Sequence, residues 1–426
     1  MIEKKFDIGL WLDRGVFAGL CVFCASAPFS ITMEEIGAFT ALIFFAVKLA
    51  AGRAVLKWRW IYLPVAVYFA GLVLSALTSE YGHWRSLRSA LQDTYVFLLL
   101  PVFIEEGRRI GYDRLLRVLL AASAVSAVYG LLQAVTGIHL FLAHPPAHGK
   151  TFYHVVGFFG LHLNYGGFMS MVCIVSVAGL LGAAASRSRI FFGSVSVLTL
   201  LAAIVSYSRA ALAGLAAGLV FVLLVKIFSG RRIRDFVVPI VLISVIALSV
   251  SLIPELRQRV SYVNSWEKLS KDGRFYIWGT AWNAIRHHPL LGIGSGNFRN
   301  VFDRYKDPSY LRKSTRTHSH NDLMQSWLDG GLAGLAGYLG IIVLLAGGGV
   351  MFFLRSRRKP GRDAGNDETA HLQLGLSSAV VVIFVQGIGQ CYMTTAVIAW
   401  LFWFLACGLY AAAGSGPAET RIAENK

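Results

Sequence analysis

Arg316-Thr317-His318-Ser319-His320-Asn321-Asp322 closes the one long polar region of this chain, and Leu323 to Gly334 then runs on in a helix-like pattern into an apolar segment. Two imidazoles, a cation and a carboxylate stand together where the chain returns to hydrocarbon, which puts reactive side chains at a membrane surface. The same residues also read as a plain helix start, because an Asn in this position caps the first turn.

Outward from that joint, the chain is too apolar for a soluble domain. Of its 426 residues, 56% are hydrophobic and the mean hydropathy is +0.59, whereas soluble domains are about 45–50% apolar. The expected fold is all-α: a polytopic membrane bundle of about twelve helices, since a helix needs roughly 17–25 apolar residues to cross the hydrocarbon. Candidate spans lie near 15–32, 36–52, 60–78, 91–104, 115–137, 155–184, 190–207, 209–228, 236–254, 332–354, 372–391 and 394–413. The 91–104 run is short. The 155–184 run is long, carries His162 and Asn164, and reads as kinked or partly interfacial. No cleavable signal peptide is expected, because further apolar runs follow the first one. Cys21, Cys24, Cys173, Cys391 and Cys407 all fall inside apolar runs, which suggests packing and not a disulfide framework.

The formal net charge of +17 would point to nucleic acid in a soluble chain. Here 24 of the 40 Lys and Arg residues fall in the termini and alternate connections. Those connections are therefore read as cytoplasmic, and nucleic-acid binding is not expected. Residues 1–254 would hold nine spans, 255–330 a long periplasmic loop, 331–413 three further spans and 414–426 a cytoplasmic tail. The long loop keeps 12 basic and seven acidic residues. Loops beyond about 60 residues escape the charge rule, so its positive balance suits the handling of anions.

Within that loop, Arg274 to His288 reads as a helix with Phe275, Trp278, Trp282 and Ile285 on one stripe, ended by Pro289 and the Gly292-Ile293-Gly294-Ser295-Gly296 run. The stripe suits packing or an interfacial anchor. The glycine run is no dinucleotide fingerprint, having the wrong spacing and no preceding strand. His318-x-His320-x-Asp322 superficially matches a metallo-hydrolase ligand cluster, but no carboxylate or thiolate cluster elsewhere supplies the remaining ligands, so metal-free chemistry is expected. Arg209, in Ser206-Tyr207-Ser208-Arg209, sits between two apolar runs, where an arginine is paired, holds a ligand or snorkels to the headgroups. Arg274 opens the aromatic helix, where backbone N–H groups favour an anion. An arginine fork suits phosphate oxygens because it donates two parallel hydrogen bonds.

His320-Asn321, nine residues, Gly331, two residues and Gly334 together resemble the H-[NSQ]-x9-G-x-x-[GTY] signature of bacterial O-antigen ligases. These belong to a membrane superfamily with O-antigen polymerases and protein O-oligosaccharyltransferases. The resemblance covers nearly the whole chain, and it carries family arginines onto Arg209 and Arg274. It implies an inner-membrane enzyme with a periplasmic site. The implied donor is O antigen on undecaprenyl diphosphate and the implied acceptor a sugar of the lipid A core, with membrane lipids around it and no cofactor. On that reading Arg209 and Arg274 hold the diphosphate and His320 is the base. His318, Asn321, Tyr207, Arg312, Lys313 and Arg316 are candidate substrate contacts, although the basic ones equally suit lipid headgroups. A polymerase or protein transferase of the superfamily stays open, as does a lipid-oligosaccharide flippase. A flippase would instead spread charges along several helices and show pseudo-repeats.

Overall fold

The computed structural model describes residues 8–140, 155–229, 232–254, 256–257, 273–306, 317–357 and 364–411, and every regular element among them is helical. In chain order these are α1 (Ile8–Ser26), α2 (Ile31–Ala50), α3 (Tyr62–Thr78), α4 (His83–Thr94), α5 (Tyr112–Thr136), α6 (His162–Gly182), α7 (Ser186–Val205), α8 (Arg209–Ser229) and α9 (Arg234–Leu252). There follow α10 (Gly273–His287), α11 (Phe298–Tyr305), α12 (Asp322–Arg357), α13 (Ala364–Gly387) and α14 (Ala396–Ala411). Among the described residues, nine helical stretches are long and apolar enough to cross a membrane, and α3 and α14 are shorter apolar helices. The protein is a polytopic helical membrane protein.

All twelve expected spans correspond to helices, with corrected boundaries: the first is Ile8–Ser26 in place of 15–32 and the second begins at Ile31 in place of 36, and two further spans depart more in kind. The short 91–104 segment is the middle of a longer path. The helix begins at His83, tightens to a 3₁₀ turn over Tyr95–Leu99, passes Pro101, widens to a π turn over Val102–Glu106 and ends at Ile110. Pro101 has no N–H to give, which forces this irregularity. The long 155–184 run is helical only from His162 to Gly182, because Gly157 and Gly160 turn the preceding chain with positive φ.

Burial sorts the helices by position. The α6 span is 94% buried within the protein and α9 only 17%. Apolar side chains such as Phe228, Val343 and Ile190 stand 85%, 70% and 69% exposed on the outer faces, as lipid-facing surfaces require. At the centre, α6, α13 and α14 carry apolar residues on nearly every face.

Because successive spans alternate in direction, their ends form two layers. One layer gathers the start of α1, the end of α2, the end of the α4 path, the start of α5, the end of α8 and the starts of α9 and α13. There the basic side chains meet acids across helices. Lys48 bridges Asp13 at 2.9 Å and also bonds Glu106, and Arg59 reaches Glu105 at 2.8 Å. In the same layer Arg117 pairs with Glu368, buried Lys226 lies 3.2 Å from Asp235, and Arg232 lies 3.0 Å from Asp367. Pairing is what lets such charges sit against helix ends in a low-dielectric setting.

The opposite layer carries α10 and α11, which form a small second core of Ile277, Ala281, Ala284, Ile285, Ile293, Phe298, Val301, Phe302 and Leu328. The helix expected before Pro289 is present, but its buried face is not the aromatic stripe. Ile277, Thr280, Ala281, Ala284 and Ile285 face inward, and Trp282 stays 41% exposed with its ring edge-on to Trp327. Small side chains allow the close approach to α11 and α12, and the bulky aromatics flank the contact. Burial draws His288 below the ordinary imidazole range and lifts the Tyr305 hydroxyl to about 12. Both groups are therefore neutral near pH 7, joined by a 2.9 Å hydrogen bond that ties α10 to α11.

Candidate active site

The glycine run after α10 is what fastens this outer arm to the bundle. Gly292, Gly294 and Gly296 all have positive φ, and the turn they make points Asn297 inward. Its Nδ2 donates to Ser79 Oγ, Ser86 Oγ and the Ile293 carbonyl at 3.1, 2.6 and 3.0 Å. On the other side, Ile293 N donates to the Leu328 carbonyl at 2.7 Å and Leu332 N donates to the Leu290 carbonyl at 3.0 Å. The arm thus enters α12 through a break in its ladder, and the break is at Gly331, with φ 61° and ψ −157°. A Cβ there would lie 2.1 Å from the Leu290 oxygen. The second signature glycine serves packing: Gly71 of α3 comes so close that a Cβ on it would meet Gly334 N at 2.5 Å.

Gly331→Ala is therefore expected to undock the arm. The Gly331 backbone, at φ 61° and ψ −157°, lies in a region essentially confined to glycine; an L-residue there costs about 1–3 kcal/mol, and the clash with the Leu290 oxygen adds to it. Limited proteolysis should cut the arm of the inserted variant faster than that of wild type. Equal protection would show that the break tolerates a side chain.

Docking the arm brings the start of α12 to the end of α13. Asn321 caps α12, its Oδ1 accepting from Met324 N at 3.1 Å and its carbonyl from Gln325 N at 2.8 Å. The amide oxygen of Asn321 is thus spent on building the helix, and the residue is buried at 6% exposure. Ser319 N donates to Gln325 Oε1 at 2.8 Å, and Gln325 Nε2 donates to Asp329 Oδ2 at 2.8 Å. With both neighbours anchored, His320 is held half-buried at φ 55°. Its N–H donates to His318 Nδ1 at 3.3 Å, and the two imidazoles pack edge to face with centroids 4.2 Å apart.

The facing wall is a stretch that the spans 372–391 and 394–413 nearly closed over. Helix α13 ends at Gly387 and α14 begins only at Ala396. Irregular backbone at such depth survives where protein groups satisfy it, and here the α12 start does so. Asp322 Oδ1 accepts from Met393 N at 3.2 Å, Ser319 Oγ lies 3.8 Å from Cys391 Sγ, and His320 Nδ1 lies 2.7 Å from Gln390 Oε1. Asp322 is turned into this joint at 1% exposure, so the H-x-H-x-D spacing does not gather three ligands. Among the described residues no three His, Cys, Asp or Glu side chains form a metal-holding group.

Gly389 links this wall to Arg274 and to the start of α8. A Cβ on it would lie 3.4 Å from Arg274 Nη1 and 3.8 Å from Ala210 Cβ. The guanidinium from α10 and the first turn of α8 therefore both reach the residue preceding Gln390. Arg209 is the first residue of α8, capped by Ser208 Oγ, which accepts from Ala211 N at 3.3 Å. Tyr207 precedes the cap half-buried at φ 53°. Tyr207 and His320 are the non-glycine residues with positive φ among the described residues. Each such conformation costs of order 1–3 kcal/mol, and such residues cluster at functional sites. Arg312, Lys313 and Arg316 lie outside the described residues.

The Arg274 guanidinium, the N-terminus of a long helix that begins at Arg209, and an imidazole thus lie on one face of the membrane bundle. That set can bind a polyanion and remove a proton beside it. A separate apolar groove of about 740 Å³ between α3 and the α4 path, lined by Tyr62, Phe69, Tyr95 and Leu98 among others, contains none of these groups. Sequence reasoning missed Gln390 and the break around it. The signal was there in Gly387-Ile388-Gly389-Gln390, two glycines and an amide placed where one apolar run should end.

Residues 194–339 match the family described as O-antigen ligase. The matched stretch takes in Arg209, Arg274, the docked arm and the signature from His320 through Gly334. No curated protein matches the chain.

Proposed function

Because residues 194–339 match the family described as O-antigen ligase, we propose that this protein moves O-antigen polysaccharide from undecaprenyl diphosphate onto a sugar of the lipid A core. One observation carries the reading most directly: Gly389 stands between the Arg274 guanidinium and Gln390, the residue that holds His320. The anion-binding and proton-accepting groups are thereby neighbours. Arg274, Arg209 and the α8 N-terminus hold the diphosphate and stabilise the charge that grows on it as the leaving group. His320 takes the proton of the acceptor hydroxyl while the new bond forms at the anomeric carbon and the bond from that carbon to the phosphate oxygen breaks. A single displacement inverts the anomeric centre. The scheme uses no metal and no cofactor.

The ion-paired layer is read as cytoplasmic and the His320 layer as periplasmic in the inner membrane, because positive charge accumulates in short cytoplasmic connections. Single-cysteine labelling with an impermeant reagent in intact cells should mark residues within 255–330 and spare 226–235 and 355–368. Labelling of 355–368 would invert this topology.

Reconstitution with a lipid-diphosphate glycan and rough lipopolysaccharide tests the activity. A ladder of ligated lipopolysaccharide is expected on a gel, dependent on both substrates. Glycan polymer formed without lipopolysaccharide would overturn the ligase reading in favour of a polymerase. Glycan that crosses the bilayer unligated would identify a transporter.

A further inference from the structure

We infer that Gln390 is a positioning residue that fixes the tautomer of His320; this rests on the proposed role of His320 as base. An amide oxygen can only accept, so the 2.7 Å contact between Gln390 Oε1 and His320 Nδ1 requires the proton on Nδ1. The lone pair, and with it the basicity, is then on Nε2. In a neutral imidazole, the hydrogen bond made by one nitrogen decides which nitrogen carries the proton. During transfer the acceptor O–H proton goes to Nε2, the Nδ1–H stays on Gln390, and the imidazolium returns its Nε2 proton to solvent after the product leaves.

The geometry gives Gln390 no latitude. It is 5% exposed and lies in the α13–α14 break. On either side the break is clamped to the α12 start, with Cys391 against Ser319 Oγ and Met393 N on Asp322 Oδ1. His320, with its left-handed backbone, has its ring against this segment. Gly389 keeps the approach open for Arg274 on the other side. A neutral amide as partner has a chemical consequence that a carboxylate would not. It sets the tautomer while stabilising the imidazolium less than a carboxylate would, so the base is pushed less toward its protonated, inactive form. The titratable and charged groups on the elements packed about His320 are His318 from the same turn, Asp322 from α12, Arg274 from α10 beside Gly389, and Cys391 and Tyr392 from the break itself.

Two variants and one spectrum test the assignment in the full-length reconstituted protein. Gln390→Glu keeps an acceptor at the same place and adds a negative charge. Its activity should persist at alkaline pH, while the acid limb of kcat moves upward by about 1–3 pH units, the size of shift an adjacent opposite charge produces. Gln390→Leu should lower kcat by roughly tenfold or more, a part of the roughly 10²–10⁴ that a positioned base supplies, with KM for the lipid donor unchanged. In ¹⁵N spectra of histidine-labelled protein, the His320 signals, identified by their loss in His320→Gln, should show a protonated Nδ1 that is lost in Gln390→Leu. An acid limb unmoved in Gln390→Glu, or a proton found on Nε2 in the wild type, would overturn the inference. A His320→Gln variant that turns over normally would instead remove the base assignment, leaving the spectrum to judge the Gln390 contact by itself.

Discussion

Turnover is expected to fall by about 10²–10⁴ when His320 is replaced by Ala or Gln, the usual contribution of a positioned general base. In the proposed reaction the acceptor is a neutral sugar hydroxyl, poorly nucleophilic until its proton leaves. The imidazole, with an ordinary pKa near 6.5, is matched to that transfer near neutral pH. Gln can occupy the same space and keep a hydrogen bond but cannot take the proton, so both variants should lose turnover to a similar extent. Folding should be spared, because the apolar helices carry the stability and the α12 start is capped by Asn321 rather than by His320. Removing a left-handed L-residue strain is not expected either, since Ala and Gln share that backbone cost. Activity of the wild-type enzyme should decline as pH drops below the ordinary imidazole range and should survive exhaustive chelation. A His320→Gln enzyme at wild-type rate, or a chelated enzyme revived by a divalent ion, would remove His320 from this role.

Arg274→Ala and Arg209→Ala should each lower kcat by about 10²–10³ or more, the range seen when one preorganised donor to a developing charge is deleted. In the proposed reaction the diphosphate leaves readily only when its charge is held, and the Arg274 guanidinium and Ala210, next to Arg209 in the first turn of α8, approach the same glycine from different helices. Arg274→Lys should restore activity only in part, because an ammonium is a point charge without the planar fork that meets two phosphate oxygens. Arg209 has the added support of its place at the α8 N-terminus, where the helix dipole favours a bound anion. Its lysine variant is therefore expected to recover more than that of Arg274. Steady-state turnover on membranes with matched protein levels decides both cases. Full activity in either alanine variant would take that arginine out of the donor site.

The fold class and the number of spans were legible along the chain because they depend on local properties. An apolar run of the right length has no stable alternative to a helix in hydrocarbon, and alternate Lys and Arg clusters mark one end of each. His320, Arg209 and Arg274 also stand out along the chain as candidates, since a charge or imidazole beside an apolar segment is visible in composition alone, and their roles are those proposed above. The helix before Pro289 was found for the same reason, from its pattern and its breakers.

Pairings between distant segments were not legible. The burial of Ile277, Ala281 and Ala284 in place of the aromatic stripe depends on how closely α11 and α12 approach, which periodicity cannot express. The role of Gly331 is to admit the Leu290 carbonyl into α12, a contact across some forty positions of chain. The end of α13 at Gly387 is set by Asp322, Ser319 and His320, which satisfy the backbone and side chains of the break from another helix. Sequence by itself therefore determined what the chain is made of and which residues carry charge and basicity. Only the tertiary structure decided that Asn321 caps, that Asp322 clamps, and that Gln390 meets His320, because hydrogen bonds and close packing are made in space between residues that no local pattern connects.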